Sequence, residues 1–358
     1  MNHHITQRMA KRRLDGLGMA YEELSIGNGW TLILTQYGGR ALGPFRGEDS
    51  ESYFWLNGAF GEEEAFGQFV EGRRWNLGGE RFWINPELKF FCQAPERFDE
   101  TYTVQPQLDP GSYVLEKGDN CVRLEQSARL RELGGEAVKA FRVKRRYTPA
   151  AYPLAWMDAF KGAGLDYCGY TQEITLEDAS LEIPICLEPW TICQVNPGGK
   201  FVIPFFGAFQ FDDYYDPVEE MQRVKRGYAE LDVTGYRKYK TAYKSAATFG
   251  RIAYVARFGE KWSAMIRNYY NDPSVPYVSE PWNQLGRRGA SAYFYNDDGS
   301  NGGFGEFEHG GLTIGPGAGR EKSVDTSSLW FFFGTAQRIG DVMRALLGIE
   351  YEFPGGSD

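Results

Sequence analysis

Short segments rich in β-branched and aromatic residues, each bounded by turn-forming residues, restrict the fold of this chain more than any other sequence feature. Residues 29–37 (GWTLILTQY) and 121–128 (CVRLEQSA) are examples, and such segments predict β-strands. Residues 117–120 (KGDN) predict a hairpin turn between two of them. The other predicted strands are residues 113–116, 138–147, 170–176, 192–195, 248–258, 262–269, 290–295, 303–309 and 327–333. Many short strands joined by turns indicate an all-β sandwich of antiparallel sheets.

Helix signals are few, and nothing in the chain suggests a second domain. Residues 335–347 (TAQRIGDVMRALL) carry apolar side chains at helical spacing and predict a helix packed on the sandwich. Residues 216–228 predict another short helix. No repeat and no Pro- or Ser-rich linker divides the sequence. We therefore predict an N-terminal tail over residues 1–20, one β-domain over 21–350, and a C-terminal tail over 351–358.

Composition limits the partners of the chain. The 358 residues carry a formal net charge of -9, which argues against nucleic acid, because nucleic-acid affinity comes mainly from clustered Lys and Arg. No stretch approaches the roughly 18 apolar residues of a membrane span, and the first fourteen residues lack a signal-peptide core. We expect no membrane partner and a cytoplasmic location. The oligomeric state stays open.

Histidine and cysteine are placed poorly for metal or cofactor chemistry. Five cysteines show no metal-ligand spacing, and His309 is the only histidine inside the predicted domain. Any mechanism that needs two histidines is therefore excluded. Residues 296–301 (NDDGSN) could offer oxygen ligands to Ca²⁺ but lack the spacing of a calcium loop, so we predict a hairpin turn there. We predict neither a metal site nor a cofactor.

Residues 77–87 (LGGERFWINPE) are the first candidate site segment. Paired glycines bring the backbone close to a neighbouring group. Glu80, Arg81, Trp83 and Glu87 then supply charges and a flat apolar face within eight residues. Sugars suit that combination, because their hydroxyls take charged hydrogen bonds while the C–H face of the ring lies on an aromatic ring. The alternative is a structural Arg–Glu bridge beside a buried Trp.

Residues 304–311 (FGEFEHGG) are the second candidate segment. Side chains alternate along a strand, so Glu306 and Glu308 share one face while Phe307 and His309 point to the other. If Phe307 faces the core, both carboxylates face solvent or a cleft. Two adjacent carboxylates perturb each other's titration, and one of them could act as a general acid. An exposed acidic edge strand is the alternative.

Two further segments carry candidate binding residues. In residues 187–199, Trp190 and Gln194 share a strand face and could form a platform for a sugar, although a core Trp beside a satisfied Gln fits equally well. In residues 37–43 (YGGRALG), Arg40 could clamp a sugar oxygen or form a structural salt bridge.

The order of these four segments resembles the galactose mutarotase-like superfamily, a β-supersandwich that includes aldose 1-epimerases and many uncharacterised relatives. YGGRALG looks like the glycine-bearing turn near its N-terminus, and residues 78–87 (GGERFWINPE) look like a segment of its uncharacterised bacterial members. FGEFEHGG, followed by Pro316 between two glycines, is similar to the strand that bears the catalytic glutamate. The resemblance spans roughly residues 25–335.

This resemblance implies an acid–base reaction on a sugar. The family's glutamate, which is the base on the anomeric hydroxyl, carries over to Glu308, with Glu306 as the alternate register. The family's histidines have no counterpart, so Glu80 or His309 would be the acid. We expect an epimerase or mutarotase-like isomerase acting on a small saccharide without a cofactor. A lyase or glycoside hydrolase on the same fold, or a non-catalytic carbohydrate-binding protein, are the alternatives.

Overall fold

Two large antiparallel sheets form the protein in a computed structural model that describes residues 4–162, 164–215 and 217–354. The strands within these residues are β1 (Tyr21–Ser25), β2 (Thr31–Thr35), β3 (Ala41–Phe45), β4 (Glu80–Asn85), β5 (Val114–Gly118), β6 (Cys121–Arg131), β7 (Val138–Pro149), β8 (Asp166–Asp178), β9 (Glu188–Val195), β10 (Lys200–Pro204), β11 (Phe211–Asp213), β12 (Gln222–Lys225), β13 (Tyr228–Asp232), β14 (Tyr239–Lys244), β15 (Arg251–Phe258), β16 (Lys261–Tyr269), β17 (Ala290–Asn296), β18 (Gly305–Gly310) and β19 (Lys322–Gly334). The predicted all-β sandwich is confirmed, and each predicted strand segment overlaps one of these strands.

The front sheet has the strand order β1-β2-β3-β4-β9-β18-β17-β14-β11, and the back sheet has the order β12-β13-β10-β15-β16-β19-β8-β7-β6-β5. The predicted hairpin turn joins β5 to β6, where Gly118 pairs with Cys121 and Asn120 adopts a φ of 49°. In the front sheet, β9 and β18 are adjacent although they are far apart in sequence. This crossover brings the predicted site segments together.

The main core lies between the two sheets. Phe82 of β4 and Phe307 of β18 enter it from the front sheet, while Leu176 of β8 and Phe331 of β19 enter from the back sheet. Because side chains alternate along a strand, the residues next to Phe82 and Phe307 point to the outer face of the front sheet. Phe307 therefore meets the condition under which Glu306 and Glu308 point away from the core.

Five α-helices lie outside the sheets within the described residues. They are α1 (Gln7–Gly16), α2 (Glu63–Glu71), α3 (Glu87–Phe90), α4 (Phe98–Thr101) and α5 (Ala336–Leu347). The predicted C-terminal helix is confirmed as α5, which starts where the Thr335 hydroxyl accepts a hydrogen bond from the Arg338 amide. Its Ile339 and Val342 pack against the back sheet. None of the described helices combines the length and apolarity of a membrane crossing.

Parts of both predicted tails pack against the rest of the fold. The helix α1 forms within residues 4–20, because Thr6 caps its N-terminus and Ala10 and Leu14 are buried one turn apart. Tyr351 packs in the cluster that also holds α5. Residues 1–3 and 355–358 lie outside the described residues. The short helix predicted over residues 216–228 is wrong, since β12 pairs there with β13.

Candidate functional site

A cavity of about 380 Å³ lies on the outer face of the front sheet. This volume is in the range of small-molecule pockets. Its aromatic walls are Trp75, Trp83, Phe98, Tyr102, Trp190, Tyr215, Tyr295 and Phe304, and its polar or charged lining residues are Arg81, Glu87, Asp99, Lys238, Lys240, Ser300, Asn301 and Glu306. A larger cleft of about 680 Å³ beside residues 315–322 has no aromatic lining residue. The aromatic cavity, which combines eight aromatic with eight polar or charged lining residues, is the candidate site.

Strand register explains why residues remote in sequence meet in this cavity. Glu306 of β18 lies opposite Gln194 of β9 on one side and Tyr295 of β17 on the other. Tyr295 in turn lies opposite Lys240 of β14. Directly opposite residues of antiparallel strands point to the same face, so these four side chains form a row across the sheet. Glu306 and Lys240 are two strands apart, roughly 10 Å between their Cα atoms.

A second row lies next to the first on the same face. Arg81 of β4 lies opposite Ile192, which lies opposite Glu308. Trp83 lies opposite Trp190 one step further along. The register thus places predicted residues from three sequence segments on a common surface.

An ion pair between Arg81 and Glu306 lies at one side of the cavity. Arg81 Nη2 is 2.7 Å from Glu306 Oε1, and Gln194 Nε2 donates to the same oxygen at 3.0 Å. The guanidinium lies 4.1 Å from the Trp83 ring centroid and 5.2 Å from that of Trp75. Glu306 Oε2 has no hydrogen-bond partner among the described residues, so it is available to a ligand hydroxyl.

A second ion pair joins Lys240 to Glu87. Lys240 Nζ lies 2.8 Å from Glu87 Oε2 and 4.5 Å from the Trp190 ring centroid, and Tyr102 donates to the other oxygen of Glu87 at 3.3 Å. Burial acts to lower the pKa of Lys240, but the carboxylates of Glu87 and Glu308 outweigh it and raise the pKa above its ordinary value. The ammonium group therefore stays charged.

Near the protein surface, a third ion pair joins Lys238 to Asp99 of α4. Lys238 Nζ also lies 4.3 Å from the Tyr215 ring centroid. Phe98, beside Asp99, packs against Tyr215 and Tyr102 with ring centroids 6.1 and 5.2 Å away. This third pair and its rings belong to the part of the cavity wall built from α4 and the segment before β14.

Glu308 shares the strand face of Glu306 but does not line the cavity. It is fully buried, and its Oε2 accepts a 2.8 Å hydrogen bond from the Trp190 indole, while Oε1 has no partner among the described residues. Burial raises the pKa of Glu308, and the carboxylates of Glu306 and Glu87 add to that rise against the opposing effect of Lys240. Trp190 therefore connects the cavity to a buried carboxyl that favours its protonated form.

Glu80 and His309 are not brought to the cavity, because strand alternation sends both to the space between the sheets. Glu80 pairs there with Arg267 and accepts a hydrogen bond from Gln172 at 3.1 Å. The His309 ring lies 4.9 Å from that of Tyr269, and burial together with Arg267 holds the pKa of His309 well below 6.5. Neither residue is in position to exchange a proton with a ligand in the cavity.

Arg40 also lies outside the cavity, on the far side of Trp83. It is fully buried, with Nη2 2.6 Å from Asp109 Oδ2, and it also donates to the carbonyl of Trp75. Asp109 Oδ2 accepts a second hydrogen bond, at 2.8 Å, from the Trp83 indole. The salt bridge that the sequence offered as an alternative to a sugar clamp is what the structure contains, and it positions a wall of the cavity.

The paired glycines approach other parts of the chain and not the cavity. A Cβ on Gly79, whose φ is +73°, would lie 2.3 Å from the carbonyl oxygen of Ala41 in β3. One on Gly78 would lie 2.6 Å from the carbonyl oxygen of Trp55. The glycines allow β4 to start close against its neighbours.

Several cavity residues were not predicted from the sequence. Lys240 is the clearest, and the alternation of Tyr239, Lys240 and Thr241 would have placed it on a strand face had that strand been predicted. Asn301 belongs to a loop that was predicted as a hairpin turn. That loop is organised by Asp297, whose Oδ2 accepts backbone hydrogen bonds within it, including one from Asn301 at 3.1 Å. No group of three or more His, Cys, Asp or Glu suited to a metal ion occurs among the described residues.

Comparison with known proteins gives structural likeness only. No family model and no curated protein matches the chain. It is similar to a candidate aldose 1-epimerase from Klebsiella pneumoniae subsp. pneumoniae MGH 78578, with 10% identity, a TM-score of 0.46, and coverage of 96% of this chain and 94% of the other. It is also similar to galactose 1-epimerase from Lactobacillus acidophilus NCFM, with 12% identity, a TM-score of 0.45, and coverage of 88% of this chain and 95% of the other.

A third structure, 4-alpha-glucanotransferase from Thermococcus litoralis, has 9% identity and a TM-score of 0.32, and the match covers 87% of this chain and 39% of that one. TM-scores below 0.5 at such identities do not identify a ligand or a reaction.

Proposed function

We propose that this protein binds a small saccharide in the cavity on the front sheet. The observation that carries the proposal is the combination of flat aromatic walls with ion-paired polar groups in a volume of about 380 Å³. The C–H face of a sugar ring packs on aromatic rings, and its hydroxyls take hydrogen bonds from charged groups. The volume is at the lower end of ligand pockets, which favours one or two sugar rings over a polymer.

Two wall residues suit these separate roles. Trp75 is half-buried and offers a ring near the Arg81 guanidinium, while Glu306 offers the free Oε2 on the same side of the cavity. A sugar lying against Trp75 would therefore meet a hydrogen-bond acceptor at its edge.

Saturation-transfer difference NMR with common aldoses, ketoses and disaccharides tests this proposal. We expect saturation transfer to at least one sugar, and a loss of most of that signal in Trp75→Ala. Trp156→Ala is the matched control, because Trp156 is 78% exposed and does not line the cavity. Absence of signal for the whole panel, or equal signals in both variants, would contradict saccharide binding in this cavity.

A second candidate function, isomerisation of the bound sugar, is favoured by the position of Glu306. A carboxylate with one free oxygen could take the proton of an anomeric hydroxyl while the bond between the anomeric carbon and the ring oxygen breaks. Two strands away from Glu306, the Lys240 ammonium could donate toward the ring oxygen, which must gain a proton for the ring to open. Ring closure with the proton transfers reversed would then give either anomer.

In this mechanism the base is Glu306, which the family resemblance gave as the alternative to Glu308. The buried Glu308 does not touch the sugar, and it influences the site through its hydrogen bond from Trp190 and its proximity to Glu306. Proton-exchange NMR of anomeric interconversion across the sugar panel tests it. We expect enhanced exchange for the bound sugar in the parent protein and background exchange in Glu306→Gln. Background exchange in the parent protein for a sugar that binds would leave a binding function alone.

A further inference from the structure

We infer that the cavity selects uncharged saccharides, and that three carboxylates of the protein set this selectivity by acting as internal counter-anions. This inference rests on the proposed saccharide binding and specifies its substrate class. Its basis is that each cation among the described lining residues is already paired: Arg81 with Glu306, Lys240 with Glu87, and Lys238 with Asp99. Sugar acids and sugar phosphates would need one of these cations.

The remaining donors of Arg81 are shielded from solvent, and the Lys240 ammonium lies close to aromatic rings. Nε and Nη1 of Arg81 are shielded from solvent and have no acceptor, and its guanidinium lies near the rings of Trp75 and Trp83. Lys240 Nζ lies near the rings of Trp190 and Tyr214, 4.5 and 5.0 Å from their centroids. A ligand carboxylate or phosphate would therefore have to displace a protein carboxylate to form a bidentate or charge-assisted contact.

An added anion would also meet negative charge. Glu306 and Glu87, each the carboxylate of an ion pair, line the cavity. Like charges brought together in a partly buried site oppose binding, whereas a hydroxyl can donate to Glu306 Oε2 without adding charge. The arrangement favours hydroxyl groups over acidic groups at the same positions.

Removal of one internal anion should change the selectivity. In Glu87→Gln, Lys240 loses its carboxylate and becomes available to a ligand anion. We expect affinity for a sugar acid or phosphate, relative to the parent sugar, to rise by at least about tenfold, the size of one charge-assisted hydrogen bond. The double variant Glu87→Gln/Lys240→Met is the matched control, because it lacks the released cation and should show no such rise.

Glu87 is buried, so Glu87→Gln could disturb folding, and a second variant at a more exposed residue is tested beside it. Asp99→Asn removes the partner of Lys238 near the surface, where the Asp99 side chain is 65% exposed and folding is not at risk. In Asp99→Asn we expect the affinity for a sugar acid or phosphate, relative to the parent sugar, to rise by about threefold, because exposed ion pairs are weaker. This second variant decides the question if Glu87→Gln does not fold, as judged by circular dichroism.

The experiment measures dissociation constants by saturation-transfer titration for matched probes: glucose and galactose, their uronates, and their 6-phosphates. The uronate and phosphate arms separate the two kinds of anion. We expect the parent protein to prefer the uncharged member of each set by at least about tenfold. Equal or tighter binding of a uronate or phosphate by the parent protein, or no shift in a folded anion-removal variant, would overturn the inference while saccharide binding stands. No binding of any probe would remove the proposed function as well.

Discussion

The buried ion pair behind Trp83 gives the most quantitative test of how the cavity wall is held. Arg40 is 0% exposed and Asp109 is 2% exposed, and one oxygen of Asp109 accepts from both Arg40 and the Trp83 indole. Burial lowers the pKa of Arg40 to about 10, so the guanidinium is still charged at neutral pH. Asp109→Asn therefore leaves a buried charge without its counter-charge.

Removing one partner of a buried ion pair typically costs 3–5 kcal/mol, so we expect Asp109→Asn to lower the free energy of unfolding by about 3 kcal/mol. Urea denaturation followed by tryptophan fluorescence measures this change, with an unchanged dependence on urea concentration as the check for two-state behaviour. Asp49→Asn is the matched control, because Asp49 pairs with Arg8 at the surface and is 83% exposed. We expect no measurable change in that control.

A double variant separates the charge from the packing. In Arg40→Met/Asp109→Leu both charges are replaced by apolar side chains, so most of the stability lost in Asp109→Asn should return. In this double variant the Trp83 indole lacks its hydrogen-bond acceptor, so the affinity for a bound sugar should be reduced. If Asp109→Asn is no less stable than Asp49→Asn, the reasoning about the buried pair is refuted.

Three further predictions concern the fold. Burial raises the pKa of Glu188 to about 8. The protonated side chain therefore contributes stability that is complete below about pH 4 and is lost as the pH rises toward 8. Calorimetry should show a smaller decline of Tm between about pH 4 and 8 in Glu188→Gln than in the parent protein. Gly79→Ala should lower the unfolding free energy by more than about 2 kcal/mol in urea titrations, because its Cβ would meet the Ala41 carbonyl. Thr335→Ala should cost about 1 kcal/mol by removing the cap of α5, measured in the same way.

Local periodicity accounts for what the sequence predicted correctly. In β18 the period of two separates Glu306 and Glu308 from Phe307 and His309, and this depends only on neighbouring residues. The same rule would have separated Glu80 from Arg81, but no strand was predicted over that segment. The misplacement of Glu80 therefore follows from a missed strand, and not from a failure of the periodicity.

Contacts between distant segments account for what the sequence could not predict. Lys240 meets Glu87 across 153 positions of the chain, and no local pattern indicates that pairing. Helix α1 was missed because half of its residues are charged and burial is confined to Gln7, Ala10 and Leu14. Both features depend on which surface the rest of the fold presents to the segment.

Indole N–H signals in NMR spectra provide the most direct test of the central claim that the aromatic cavity binds a sugar. Trp75, Trp83 and Trp190 line the cavity, whereas Trp30 is in the core and Trp156 is on the surface. During titration with a sugar that binds, we predict saturable shifts of the three cavity indoles and unchanged signals for the other two. Unchanged indole signals of the three cavity tryptophans with every sugar, or shifts confined to Trp30 or Trp156, would contradict sugar binding in this cavity.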